Sequence, residues 1–166
     1  MPAPPSDKAK LVTSRLFESY LACPTKCYLQ FIGEAATENN FTIWSETRRK
    51  SYRLDGLQRL KVGHSQTIDG GEPDPGHWKH ALWDFAFNQI VQAQNYEAHL
   101  HAVQRMQLEG TAQSSQFIPI RFVPANKLSR SDKLLAGFEA LVLAKALGVK
   151  VNITKIIHGD KEQPLS

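Results

Sequence analysis

Cysteine and long apolar segments are scarce in this sequence. It has only two cysteines, Cys23 and Cys27, which are too few for the disulfide framework of a small secreted domain. No run of about 18 apolar residues is present that could cross a membrane, and residues 1–6 lack the apolar core of a secretory signal. We therefore expect a cytoplasmic protein with no membrane partner.

A large excess of charge of either sign is also absent. The net charge is +4 and hydrophobic residues make up 42% of the chain, as in an ordinary globular domain. A modest basic excess is compatible with a nucleic-acid partner, but many slightly basic proteins have none. The 166 residues suit one domain. We expect a disordered, Pro-rich leader at 1–10, the domain at 11–160 and a tail at 161–166.

Helical signals dominate the first part of the domain. Thr13 or the serine after it can cap a helix that must end near Pro24, because proline cannot occupy a helix interior. Pro24 then starts a second helix, which Gly33 ends. A third helix is predicted over 41–61, and the Gly-, Pro- and Asp-rich segment 62–76 predicts a loop.

Strand signals follow in the second half. Residues 81–87 and 98–103 alternate apolar with polar or small side chains, as half-buried strands do, although a helix over 86–106 remains an alternative. Residues 117–123 and 151–157 predict two further strands. Between them, a helix capped by Ser129 or Ser131 and ended by Gly148 has an apolar stripe made of Leu134, Leu135, Phe138, Leu141, Val142 and Ala146. This order predicts an α+β fold with a small mixed sheet.

Two blocks of sequence carry a family resemblance. In residues 11–29, a Ser-capped helix leads into Cys23-Pro24, a basic residue and the pair Tyr28-Leu29. In residues 117–159, an apolar-Pro-apolar strand leads through a helix to a glycine and then to Ile-Ile-His-Gly. The chain resembles the N-terminal part of RecB-like nucleases of the PD-(D/E)xK superfamily. The first block is similar to CRISPR-associated RecB-like exonucleases, and the second to uncharacterised RecB-like nucleases.

The resemblance implies both a fold and a chemistry. The fold is an α-βββ-α-β core with flanking helices, incomplete here because the relatives continue with further helices. The chemistry is metal-dependent hydrolysis of DNA. An Asp on one strand and a Glu/Asp-x-Lys motif on the next hold Mg²⁺ or Mn²⁺, which activates a water.

The residues expected to carry that chemistry are replaced in this chain. His101 stands where the resemblance places the Asp, and Glu97 is the only carboxylate of that strand. The next strand, at 119–123, contains no acid, and Lys127 is the first lysine after it. We expect a degenerate active site in which Glu97 and His101 are the remaining catalytic candidates.

Candidate metal ligands are few. The resemblance implies that Cys23 is one of four iron–sulfur ligands, but the other three cysteines are missing, so a cluster is expected only in a longer form. The alternative is a small buried core cysteine. His99 and His101 lie on one strand face with Glu97 and can form a metal site. The alternative is a solvated polar face.

The candidate DNA-binding residues are basic and lie mostly on the third helix: Arg48, Arg49, Lys50, Arg53 and Lys127. They can contact phosphates while Trp44 and Tyr52 stack on bases, or they can form a solvated helix face. We expect a DNA-acting RecB-like module with degenerate catalytic residues. The alternative is a non-catalytic DNA- or protein-binding remnant of a longer iron–sulfur nuclease, with a second chain or a missing C-terminal region supplying the rest.

Overall fold

A computed structural model describes residues 11–34, 39–71, 78, 82–107 and 115–159, and the backbone of 161–165. The predicted leader at 1–10 lies outside the described residues. The helices in the described part are α1 Ser14–Ala22, α2 Pro24–Ile32, α3 Asn40–Lys61 and α4 Arg130–Leu147. The strands are β1 Val12–Thr13, β2 Thr67–Asp69, β3 Phe85–Ala93, β4 Tyr96–Gln107, β5 Ser115–Val123, β6 Thr154–His158 and β7 Lys161–Leu165. None of these helices is both long and apolar enough to cross a membrane.

The helix ends are where capping chemistry predicts them. Thr13 accepts a hydrogen bond from the Leu16 amide at 3.1 Å and so caps α1. Pro24 occupies the first turn of α2, where its missing N–H has no helical partner to lose. Ser129, the first of the two candidates, caps α4 through a capping box with Asp132. Gly148 ends α4 with a φ of 62°, a left-handed conformation that glycine adopts without strain.

One mixed sheet organises the chain. Six strands follow the order β2-β3-β4-β5-β6-β7, and β1 pairs with β4 outside that path. Strands β3, β4 and β5 form an antiparallel meander, and β6 pairs parallel to β5 after the α4 connection. The α+β prediction is therefore confirmed, and the alternative helix over 86–106 is wrong, because these residues form β3 and β4.

Two segments gain structure that their composition did not predict. Within the predicted loop at 62–76, residues 67–69 form β2, parallel to β3. Within the predicted tail at 161–166, residues 161–165 form β7, antiparallel to β6. Both are short edge strands, and edge pairing of this kind is set by the neighbouring strand more than by the strand's own side chains.

Apolar clusters cover both faces of the sheet. The larger cluster places α4 against Trp83, Val91 and Leu100. The smaller one places α3 against Phe87 and Phe122. Burying aromatic rings of this size contributes roughly 2–3 kcal/mol each. The predicted stripe of α4 is correct for Leu135, Phe138 and Val142 and wrong for two exposed residues, Leu134 and Leu141, which flank the face that contacts the sheet.

Helix α3 is held across the end of β5 by two contacts. Gly56 packs against the Phe122 ring so closely that an added Cβ would lie 2.3 Å from Cε1 of that ring. The Tyr52 hydroxyl donates a hydrogen bond of 2.6 Å to the carbonyl of Gly159. These contacts fix which face of α3 lies over the sheet, and with it the position of the basic residues of α3.

Candidate functional site

Strands β4 and β5 separate partway along their length. Their ladder runs from Gln107↔Ser115 to Ala102↔Ile120. Beyond that point β1 takes the place beside β4, and the Ser14 hydroxyl accepts the His99 amide at 3.1 Å. We call the place where β5 leaves β4 the strand fork. Because the fork exposes backbone groups that a continuous ladder would pair, side chains must satisfy them there.

His101 fills the strand fork. Its Nδ1 accepts a hydrogen bond from the Phe122 amide at 3.1 Å, in place of a ladder bond. Its ring lies parallel to the Phe122 ring, with 6.1 Å between their centres. Burial, followed by the positive charges of Arg121 and Arg53, lowers the pKa of His101 well below the usual value. The ring is therefore neutral at pH 7, and because Nδ1 is an acceptor, its proton is on Nε2.

Arg121 lies near the end of β5 and forms ion pairs with two acids. Its Nη1 donates a hydrogen bond of 2.5 Å to Oε1 of Glu139, and its Nη2 is 4.0 Å from Oε2 of Glu18. Only 12% of the Arg121 side chain and 2% of the Glu139 side chain are exposed. Burial raises the pKa of Glu139 to about 7, although the Arg121 charge opposes that change. The fork therefore has an internal ion pair between β5 and α4.

Above the fork lies a cavity of about 520 Å³ between α1, α3 and the end of β5. We call it the fork cavity. Its floor includes His101, Phe122 and Val123. Five cationic side chains line it, against three acidic ones. The cations are Arg15, Arg49, Lys50, Arg53 and Arg121, and the acids are Glu18, Glu46 and Asp132.

Most of the acids of the fork cavity are already paired, whereas several cations are not. Glu18 accepts a hydrogen bond from Arg49 at 2.6 Å, and Asp132 is part of the α4 capping box. Within the described part of the chain, Arg15, Lys50 and Arg53 form no ion pair. The buried Nε of Arg53 also has no hydrogen-bond partner there. Unpaired buried N–H groups are costly, so the cavity has spare donor capacity and favours an anion.

Two further cavities adjoin the fork cavity along α3. One, of about 550 Å³, shares Arg15 and Glu46 with it and extends toward α2. The other, of about 490 Å³, shares Pro124 and extends past Trp44 and Arg48. The Arg48 guanidinium lies 5.6 Å from the centre of the Trp44 ring. The fork cavity and the cavity toward α2 share one face of α3 and make a trough along it, whereas the third cavity lies on the opposite face of the helix.

Glu97 and His99, two of the predicted metal residues, lie apart from this trough. Glu97 accepts a hydrogen bond from Gln92 at 2.6 Å, and its Oε1 lies 2.8 Å from Nε2 of His99. Burial would raise the pKa of Glu97, but the bonds from His99 and Gln92 outweigh burial and lower it. His99 is exposed and does not line the fork cavity, whereas His101 does. Among the residues that the structure describes, no group of three His, Cys, Asp or Glu side chains is arranged to hold a metal.

The remaining predicted residues have separate environments. Cys23 is a free, exposed thiol between α1 and α2, so its alternative as a buried core residue is wrong. Lys127 is exposed in the loop after β5 and does not line the fork cavity. Tyr52 is half-buried and bonded to Gly159, so its ring supports α3 and is not free to stack. The Trp44 side chain is 55% exposed, so its ring is accessible for stacking on a base.

Three residues of the site were not among the predicted ones. Arg15 and Arg121 are isolated basic residues on α1 and β5, and nothing local in the sequence marks them. Glu139 had a detectable signal, because it is the only acid within the apolar stretch of α4. An acid on the buried face of a helix requires an internal partner. Comparison of the sequence with protein-family models and with curated proteins finds no match.

Proposed function

We propose that this chain is a non-catalytic, nuclease-like module that binds DNA in the trough along α3. The observation that carries the proposal is the set of five cationic side chains that line the fork cavity. By the resemblance, a metal-dependent nuclease would have acidic metal ligands there instead. The strand and helix order from β3 to β6 agrees with the α-βββ-α-β core that the resemblance implies.

The donor set does not fit Mg²⁺ or Mn²⁺. These ions require several oxygen ligands in near-octahedral geometry, usually including free carboxylates. Glu18 and Glu139 are engaged by arginines, and Asp132 caps α4. Only Glu46 remains uncommitted among the acids of the fork cavity. We therefore derive no metal-assisted step for this chain.

Two exposed aromatic rings favour single-stranded DNA over a duplex. Phe41 and Trp44 are 72% and 55% exposed and lie with their ring centres 6.0 Å apart. Both are at the start of α3, and the Arg48 guanidinium lies 5.6 Å from the centre of the Trp44 ring. Exposed rings beside cations can stack on unpaired bases, whereas bases within a duplex are already stacked.

The test is a fluorescence-anisotropy titration of labelled single- and double-stranded DNA in EDTA over a range of salt concentrations. The test variant is Arg15→Ala with Lys50→Ala, two unpaired cations of the fork cavity. The matched control is Arg59→Ala with Lys150→Ala, which removes the same charge at exposed positions outside that cavity. We expect the test variant to bind about tenfold more weakly at 0.1 M salt and its salt slope to fall by about 2, while the control stays near wild type.

A parallel incubation of DNA with Mg²⁺ or Mn²⁺ tests the absence of catalysis. We expect intact DNA. Digestion that Glu97→Ala or His101→Ala abolishes would overturn the non-catalytic proposal. Equal affinities for the test and control variants would remove the trough from the binding surface.

A further inference from the structure

The fork cavity has features that a general basic surface does not have. Arg121 is almost enclosed, with 12% of its side chain exposed. Arg53 projects from α3 close enough for its charge, with that of Arg121, to act on His101. His101 lines the cavity as a neutral ring with its proton on Nε2, so it adds a donor without adding charge. Cationic and neutral donors that surround one small volume are suited to a compact anion.

The charge of the cavity indicates which kind of anion it binds. Five cations against three acids leave an excess of two positive charges in its lining. Glu139 pairs with Arg121 from outside the lining and offsets one of these charges only when it is ionised, and its pKa is about 7. An internal phosphodiester of DNA has one negative charge, whereas a terminal phosphate monoester has nearly two at pH 7.5, because its second pKa is about 6. The terminal group therefore matches the charge of the lining better.

Access favours the same group. An internal phosphate has a sugar on each side, and both must leave the cavity. A terminal phosphate has only one, so it can reach a nearly enclosed guanidinium while the rest of the strand continues along α3. The adjoining cavity that shares Arg15 and Glu46 gives that strand one path along α3 from the fork.

We propose that the fork cavity binds the terminal phosphate monoester of a DNA strand through Arg53 and Arg121, with His101 as a neutral donor. This inference rests on the proposed DNA-binding function and specifies the substrate end that it recognises. A 5′ and a 3′ phosphate both present this monoester, and the experiment includes both.

The test compares oligonucleotides of one sequence with 5′-phosphate, 3′-phosphate or two hydroxyl ends, by anisotropy at pH 7.5 in EDTA. We expect wild-type protein to bind one phosphorylated end at least tenfold more tightly than the hydroxyl form. Arg53→Gln is expected to remove that preference, and Arg59→Gln, on the same helix but outside the cavity, is expected to retain it. Equal wild-type affinities for all three oligonucleotides would overturn the inference, and this comparison needs no variant to fold.

A second measurement separates this inference from the proposed function. Thermal unfolding is followed in sodium phosphate and in sodium chloride at equal ionic strength. Stabilisation by phosphate in wild type and Arg59→Gln, but not in Arg53→Gln, supports the anion site even if no oligonucleotide binds. DNA binding without an end preference, together with no phosphate effect, retains the proposed function and refutes the terminal-phosphate site.

Discussion

The Glu139→Gln substitution tests whether burial raises the pKa of Glu139 and so makes the stability of the protein depend on pH. The Glu139 carboxyl is on the buried face of α4, and its partner Arg121 reaches it from β5 at 2.5 Å. Burial raises its pKa from 4.5 to about 7. In the unfolded chain the same group has its ordinary value, so the folded and unfolded states bind different numbers of protons between these pH values.

The sign of the pH effect follows from the raised pKa. Below pH 4.5 the carboxyl is protonated in both states, and its contribution to stability is fully present. As the pH rises toward 7, the unfolded state loses the proton first, and the free energy of unfolding falls. The difference between a pKa of 4.5 in the unfolded chain and about 7 in the folded one corresponds to about 3 kcal/mol of stability, lost by the time the pH exceeds 7. Glutamine has the same shape and does not titrate, so the variant does not show this loss.

The assay is urea unfolding of wild type and Glu139→Gln at half-unit steps from pH 4.5 to 8.5. Other titrating groups are common to both proteins and cancel in the difference. We expect the variant's stability relative to wild type to rise by about 3 kcal/mol between pH 4.5 and 7.5 and then to level off. A difference that is flat with pH would show that Glu139 is ionised throughout, and that Arg121 fully compensates for its burial.

Two other substitutions test how α3 is seated and what it presents. Gly56→Ala places a Cβ 2.3 Å from the Phe122 ring, so we expect urea unfolding to show a loss of about 1–3 kcal/mol in stability. The control is Ser51→Ala, at an exposed position of the same helix, which should change the stability little. A Gly56→Ala protein as stable as wild type would mean that α3 is not packed against β5 at this point. Trp44→Ala removes an exposed ring at the start of α3, and we expect single-stranded DNA to bind roughly 1–3 kcal/mol more weakly by anisotropy, with a salt slope like that of wild type. Unchanged affinity would exclude stacking on Trp44.

Helix positions could be predicted from the sequence because their signals are local. Pro24, Gly33 and Gly148 act through their own backbone preferences, and the cap at Ser129 needs only a residue three positions away. The first two strands of the meander were predicted from alternation, and the third from a short apolar run at 117–123. The edge strands β2 and β7 depend on pairing with β3 and β6, and no property of their own side chains specifies that pairing.

The cations of the fork cavity show why local signals do not locate a site. In the sequence, Arg48, Arg49 and Lys50 form one basic run. On a helix, successive residues point about 100° apart, so α3 divides the run between two cavities. Arg48 turns toward Trp44, while Arg49 turns with Arg53, one helical turn later, toward the fork.

The other members of the fork cavity come from α1 and β5, and only the folded chain brings them together. Arg121 is understood only in combination with Glu139, which lies 18 residues later on a helix against the opposite face of the sheet from α3. Arg121 is the partner of the buried Glu139 carboxyl, and it also contributes to the charge of the cavity above it. An anion that enters the cavity therefore competes with Glu139 for Arg121. The ion pair between α4 and β5 should consequently affect how tightly the cavity binds that anion.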